Sequence, residues 1–561
     1  MRTAAKAPQK INKKMASRSS SSSSSTHLAR VALAAAALAL ALAGSTQAAA
    51  ILQSSSSSDQ QQQQHQLPLH LSTAQQSLTR LSAPSPSSFS SLLQSASAND
   101  QLDIWSSSSA CSSSSSDSCS SSDPCFIDIA ASSFALSNFL LPFSNISYTT
   151  QTLISDIHSL AAQQRQSTIF DEGDVPDYGE EWHNQYHTYE EIQAYLSHLA
   201  TTFPSRARLI SLGQTYENRS LTALQIGHFP PQHPHEDDSL EAERSRRKKK
   251  KKNKKSKEKL GVLLMANQHA REWISGATAL HLIHQILAAE QEESVTASSS
   301  KKSKGRHHAS SPTLLDLPLD TYEITVLPLA NPDGYSYSWT DSRLWRKNRQ
   351  PVTTDDDNND NPDPTNPECV GIDLNSNWDA GFQAWPKERA CSESYPGSRP
   401  FEAYESAAIA RFINDPVNKI RSVVDLHSYG QLLTYPFAFS CSPSLSLPDE
   451  EDLLELSTGA IRAMRNVHAH TFHAGRHCEL TWELAGSALD WSYGWMLSSP
   501  FSERLRPREG NLVKWSFALE LRDGGTYGFL LPPDQIRASG QEAGALLQYM
   551  LEFIAKREGR A

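Results

Sequence analysis

The texture of apolar and polar positions changes twice along this chain. Residues 51–125 are dominated by Ser and Gln runs, with too little apolar surface to fold alone, and read as a low-complexity, disordered segment. Between Phe126 and Gln166 apolar residues return, and Ile154, Ile157, Leu160 and Ala161 recur at helical spacing, which predicts an amphipathic helix. The acidic stretch Asp171–Tyr178, with Gly173 and Pro176, reads as a linker. From about Trp182 to Ile554 short apolar runs alternate with helical segments. A helix is expected over Tyr189–Phe203, ended by Pro204, and strands over Arg208–Gly213 and Leu221–Ile226. Near-continuous apolar runs at Gly261–Ala266, Tyr322–Leu329 and Arg421–Leu426 each lead into a polar loop. Runs of this kind, alternating with helices, predict an α/β domain whose mixed, largely parallel central sheet is covered by helices on both faces. Hydrophilic stretches 229–259, 291–311 and 353–366 read as surface loops inserted into that scaffold.

Composition adds a compartment to this picture. Arg30 precedes the apolar run Val31–Ala43, and small residues Ala48, Ala49 and Ala50 follow it. A basic flank, a short apolar region and a small-residue exit predict a secretory signal peptide with a long leading region, residues 1–50. The run is too short and alanine-rich for a membrane span, so no stable anchor is expected after its removal. The expected location is extracellular, with the vacuole as the alternative. Seven cysteines suit an oxidising compartment, and Cys369 with Cys391 and Cys441 with Cys478 form candidate pairs. Asn145-Ile146-Ser147 and Asn218-Arg219-Ser220 are glycosylation sequons. The formal net charge is −10, yet residues 246–259 form a dense Lys/Arg block. In a secreted chain that block reads as a solvated loop, or as a dibasic processing site, and no nucleic-acid partner is expected.

The chemistry is concentrated at strand ends. His269 and Glu272 follow Gly261–Ala266 directly, and His427 closes the run that ends at Leu426. Two histidines and a glutamate are the protein ligands of a catalytic zinc site, whose fourth position is left for water. In open α/β sheets ligands gather at the carboxyl ends of the strands, where these residues fall.

The stretches His269-Ala270-Arg271-Glu272-Trp273, Asn331-Pro332-Asp333-Gly334-Tyr335, Arg343–Lys347, Cys369–Asn375, His427-Ser428-Tyr429, Glu520-Leu521-Arg522-Asp523 and Tyr527–Pro532 occur in one order over roughly residues 182–555. In that order they resemble the zinc metallocarboxypeptidases of the carboxypeptidase A/B type. The resemblance implies a carboxypeptidase-like fold over 178–561, one zinc ion per chain on His269, Glu272 and His427, and peptide or protein C-termini as substrates. It implies that Glu520 is the general base and that Arg346 stabilises the oxyanion. It places Arg271, Asn375, Tyr429 and Leu489 around the substrate, with Leu489 at the floor of the specificity pocket, favouring hydrophobic C-terminal residues. Segment 126–177, containing the helix near Ile154, resembles the end of an inhibitory propeptide, so the chain's own propeptide is a further expected partner. A monomeric zymogen is implied.

Two positions depart from the family. Active members carry Asn-Arg where this chain has Asn375-Ser376. That arginine grips the substrate carboxylate, a geometry suited to a guanidinium fork. The mobile tyrosine that caps substrate is replaced by Trp482 or Thr481, depending on one residue of alignment. The chain also resembles a fungal branch of secreted or vacuolar, inactive carboxypeptidase-like proteins of the cell wall, whose members lack the general-base glutamate. Two readings stay open: an active zinc carboxypeptidase, and a zinc-binding, catalytically silent relative acting in cell wall organisation.

Overall fold

Alternation along four short strands builds the first sheet. The computed structural model describes residues 75–97, 99, 101–107, 125–166, 178–229, 258–299, 317–352, 369–445, 447–494 and 513–560. All of them belong to one compact unit, Thr73–Ala561. Strands β1 (Gln76–Ala83), β2 (Asp103–Ser107), β3 (Cys125–Ser132) and β4 (Thr149–Ile154) lie in the order β2-β3-β1-β4, and every pair is antiparallel. On β3, Ile127, Ile129 and Ala131 face one way and pack with Phe89, Leu92, Ala135 and Phe139 of helices Pro86–Ser97 and Ser133–Leu140. Ala130, one position out of phase, faces the other way with Leu78, Trp105 and Ile154, against Tyr429, Phe529 and Leu530.

This corrects the reading of 51–125 as wholly disordered. Residues 76–107 supply two strands and a helix, because Leu78, Leu81, Leu92 and Trp105 are all buried by partners from later in the chain. The helix expected from Ile154 begins at Ile157 instead, and Ile154 closes β4. Asp156 sits between them and its carboxylate accepts from the Ser159 N–H at 2.9 Å, which starts the helix.

The second sheet has eight strands among the described residues. They are β5 (Ala207–Gln214), β6 (Ser220–Ile226), β7 (Leu260–Ala266), β8 (Tyr322–Leu327), β9 (Ile420–His427), β10 (Leu432–Tyr435), β11 (His473–Arg476) and β12 (Trp515–Glu520), in the order β11-β10-β12-β9-β7-β8-β6-β5. The centre, β12-β9-β7-β8, is parallel, and antiparallel pairs join it to β10 and β6. The expected mixed sheet with a parallel core is present. Its physical cause is visible in β7, whose seven residues are all buried. Val262, Leu264 and Ala266 pack into one hydrophobic layer with helices Tyr189–Thr202, Trp273–Ser299, Glu450–His468 and Ile536–Arg557. Leu263 and Met265 pack into the opposite layer with helix Tyr404–Asn414. A strand covered on both faces has no solvated side, so its sequence does not alternate.

Helix Trp273–Ser299 runs into the stretch 291–311 expected as a loop. Its Ala-, Glu- and Gln-containing sequence favours continuing the helix. Disulfides join Cys369 to Cys391 and Cys441 to Cys478, as the sequence suggested, and Cys125 is also disulfide-bonded. The signal segment 1–50, residues 171–177 of the expected linker, most of insert 229–259 and the stretch 353–366 lie outside the described residues. Among the described residues no helix is long and apolar enough to cross a membrane.

Candidate active site

Register brings the candidate ligands together. β7 and β9 are parallel neighbours with Ala266 opposite Leu426, so the loop after Ala266 and the end of β9 emerge side by side. β12 flanks β9 with Glu520 opposite His427. Asn267 takes a left-handed conformation (φ 56°) that turns the chain back, and its side-chain amide donates to the His269 carbonyl at 3.0 Å. The turn ends at Glu272, one residue before the helix starting at Trp273.

Ligand-type atoms of His269, Glu272 and His427 lie within 4.8 Å of one another, and all three residues are buried. His269 Nδ1 is 2.7 Å from Glu272 Oε1, and His427 Nδ1 is 3.1 Å from Glu272 Oε2. The opposite ring nitrogens face other carboxylates: His269 Nε2 lies 3.2 Å from Asp373 Oδ1, and His427 Nε2 lies 2.8 Å from Asp425 Oδ2. Both rings are therefore oriented from behind, with Nδ1 turned toward the shared carboxylate. Two imidazoles and a carboxylate, each imidazole backed by a carboxylate, are the donor set and outer support that suit zinc. Burial opposes ionisation of Glu272, but the two imidazoles hold its carboxyl well below the usual range.

Asp373 organises the next layer. Its Oδ1 also accepts from the Asn375 N–H at 3.1 Å, and its Oδ2 accepts from Arg346 Nη2 at 3.1 Å and Ser376 Oγ at 2.9 Å. Burial works against its charge, yet Arg346 and His269 hold its pKa well below the ordinary value. Arg346 is left with a buried Nε that has no hydrogen-bond partner. Asn375 Oδ1 accepts from the Ala488 N–H at 2.9 Å, tying its loop to the segment carrying Leu489. The two segments approach closely at Gly486, whose φ is +73° and where a Cβ would lie 2.2 Å from the Ser376 carbonyl oxygen.

Glu520 stands at the end of β12, beside these groups. Burial pushes its carboxyl up to about 8; Glu272 and Asp425 add to the rise, and His427 and Arg346 oppose it. Leu489 is buried with Ala438 and Ala518, and Leu484 packs against them. Of the two residues expected at the capping position, Trp482 is 39% exposed and Thr481 is buried.

Arg271 and Tyr429 are brought to the same site but are engaged by the N-terminal sheet. Arg271 Nη1 donates to Asp103 Oδ2 at 2.6 Å, and its guanidinium lies over the Phe529 ring at 4.3 Å. The Tyr429 hydroxyl donates to Asp128 Oδ2 at 3.0 Å, and Asp128 is paired with Arg80 at 2.7 Å. Trp105 packs on Phe529 with ring centroids 4.8 Å apart. Asp103 and Trp105 were missed in the sequence because they lie in the tract read as low complexity. The one local signal was the apolar-polar rhythm around Leu78, Leu81 and Trp105. Asp425 stood in a quoted strand but drew no role, although its spacing of two from His427 puts both side chains on one face of β9.

The zinc carboxypeptidase family model matches residues 192–545 of this chain. The chain belongs to the zinc carboxypeptidase family. Among relatives of known identity, it is 34% identical over 383 residues to the inactive metallocarboxypeptidase ECM14 of Saccharomyces cerevisiae, covering 66% of this chain and 71% of that protein. It is 28% identical over 412 residues to carboxypeptidase A2 of Mus musculus, covering 72% of this chain and 79% of the relative. The crystal structure of thrombin activatable fibrinolysis inhibitor superposes with a TM-score of 0.60 at 23% identity, over 86% of this chain and 99% of that one. That likeness concerns the fold. The family's members thus include both a carboxypeptidase and a protein named inactive, so membership leaves catalysis to be argued from the site.

Proposed function

We propose that this protein is a secreted zinc metallocarboxypeptidase, made with an inhibitory N-terminal pro-segment, that hydrolyses C-terminal peptide bonds and favours hydrophobic C-terminal residues. The observation that carries this reading is the placement of Glu520: a carboxyl at the end of β12, opposite His427 of the ligand cluster, whose pKa is raised chiefly by desolvation. A general base works best with a pKa near the working pH. Held by His269, Glu272 and His427, a zinc ion would acidify a water and polarise a carbonyl. Glu520 accepts the proton from the attacking water and returns it to the nitrogen of the leaving amine. Arg346 holds its guanidinium on Asp373 and keeps Nε free to donate to the carbonyl oxygen as negative charge develops there. Leu489, Ala438 and Ala518 supply an apolar wall for the terminal side chain.

The pro-segment reading extends to the whole N-terminal sheet. Asp103 and Asp128 occupy Arg271 and Tyr429, two groups that a bound peptide would need. Cleavage in the stretch 167–177 would release that sheet. Secretion is supported by the signal-like N-terminus and the disulfides.

The second reading, a zinc-binding but silent protein that holds peptides or wall components, is favoured by Ser376. Its hydroxyl is committed to Asp373, and it offers no cation to a terminal carboxylate. The two readings separate in one assay. Bound zinc and the hydrolysis of blocked dipeptides ending in Phe or Leu are measured on the chain cut within 167–177. Turnover that falls by about 10²–10⁴-fold in Glu520→Gln, with zinc retained, is the expected result. Full zinc occupancy without turnover in the wild type would establish the silent reading instead.

A further inference from the structure

Gln268 stands one residue before His269, in the turn that leaves β7, and is completely buried. Its side-chain amide has one orientation. The Trp378 indole nitrogen lies 3.2 Å from Oε1, and an indole N–H only donates, so an oxygen must face it. The amide nitrogen therefore points the other way, 2.5 Å from Asp425 Oδ2 and 3.4 Å from Asn375 Oδ1. The identity of that Asn375 atom is fixed independently, because it accepts the Ala488 N–H at 2.9 Å. An amide nitrogen carries two hydrogens, and both have acceptors here. A flipped amide would set N–H against N–H at Trp378 and oxygen against oxygen at Asp425.

These contacts form a chain that ends behind a candidate metal ligand. Asp425 Oδ2 is also the atom 2.8 Å from His427 Nε2, on the side of the ring away from Glu272. Among the described residues Gln268 is the second group, with His427, that bonds this carboxylate, and Asp425 Oδ1 is buried with no hydrogen-bond partner. The far end of the chain is rigid. Trp378 is completely buried against Trp491, and its backbone N–H bonds the Gly486 carbonyl at 2.9 Å.

We propose that Gln268 is a positioning residue, oriented by Trp378 and Asn375, that locks the Asp425 carboxylate against His427. This rests on the zinc reading of His269, Glu272 and His427. A carboxylate behind a ligating imidazole fixes the ring only where the carboxylate is itself fixed, and such outer partners contribute to metal affinity. The terminal torsion of an aspartate is broad. With Gln268 removed, the Asp425 side chain keeps His427 as its partner and turns with it, so the ring loses its fixed support. The amide achieves this without bringing a further charge to the ligand set.

The test is the zinc affinity of the full chain, read by competition with a chelator, for the wild type, Gln268→Met, Asp425→Ala and the double variant. No turnover is needed, so the result does not depend on catalysis. Methionine reaches about as far as glutamine and bonds none of its three partners. Gln268→Met should weaken zinc by about tenfold, the low end of the range for outer partners, and Asp425→Ala by at least as much. In the Asp425→Ala background the methionine should cost less than about twofold, because no carboxylate is left to hold. Gln268→Leu replaces the methionine variant if that one does not fold, with the same outcomes. A merely structural Gln268 would lower thermal stability and leave zinc affinity unchanged, which overturns the assignment. Equal losses with and without the Asp425 carboxylate overturn the action through Asp425. A wild-type chain that binds no zinc overturns the ligand set, and the role of Gln268 with it.

Discussion

The proposed metal-binding half of the site and its proposed substrate-binding half are built differently. His269, His427 and Glu520 issue from the ends of three adjacent parallel strands, and their spacing follows from strand register. Each imidazole has a carboxylate in front and another behind. The substrate half is made from loops and short turns: Asn375 and Ser376, His477–Leu480, Trp482, and the stretch Tyr527–Leu530. There lie Ser376 and Trp482 or Thr481, where the sequence was expected to depart from active relatives, and there the N-terminal sheet docks, through Asp103 and Asp128. On the proposed function, chemistry is anchored to the part of the fold that cannot shift without breaking the sheet. Recognition has been left to segments that can be exchanged one residue at a time.

This division can be broken by experiment. Glu272→Ala should have the largest effect: removing the carboxylate shared by both histidines should weaken zinc by more than the roughly 100-fold typical of an outer supporting residue. Zinc titration against a competing chelator reads this directly, and unchanged affinity would show that the ligand set is misassigned. Asp425→Asn should lower zinc affinity by about 10–100-fold, because it loosens the ring of His427 without removing a ligand. Loss of the whole fold in that variant would instead make Asp425 a structural carboxylate, a point circular dichroism decides.

Substitutions in the recognition half should leave zinc untouched. Asp103→Asn in the uncut chain removes a charge-assisted bond to Arg271 and should raise peptide access about 10–150-fold, since such bonds contribute roughly 1.5–3 kcal/mol. Equal rates for the uncut wild type and the variant would mean that the N-terminal sheet does not guard the site. Ser376→Arg should act least, improving KM for free C-termini by several-fold, well short of the roughly 2–5 kcal/mol of an ideal pair. Ser376 is already buried and bonded to Asp373, so an arginine must displace that contact before it can serve a substrate. A variant whose KM stays the same while kcat falls would show that the loop cannot accept the longer side chain.

Much of this was legible in residue order. The apolar runs before His269 and His427 marked buried strands, and β7 and β9 lie there with the two histidines at their carboxyl ends. Cys369 and Cys391 pair as their positions suggested. The tract 76–107 was illegible because its serine-rich composition hides a few well-spaced apolar residues. Leu78 and Trp105 become core only against Tyr429, Phe529 and Leu530.

The sequence by itself indicated which side chains could hold a metal and which strand ends carried them, while Glu520 as proton acceptor came from the family resemblance. Metal-binding capacity and strand ends are properties of residue type and of periodicity within one element. Only the tertiary structure decided what those groups face: Asp373 behind His269 and Asp103 on Arg271. The bond from Arg271 to Asp103 joins residues 168 positions apart. Partners at that distance are chosen by strand register and loop closure, for which no local pattern carries a code.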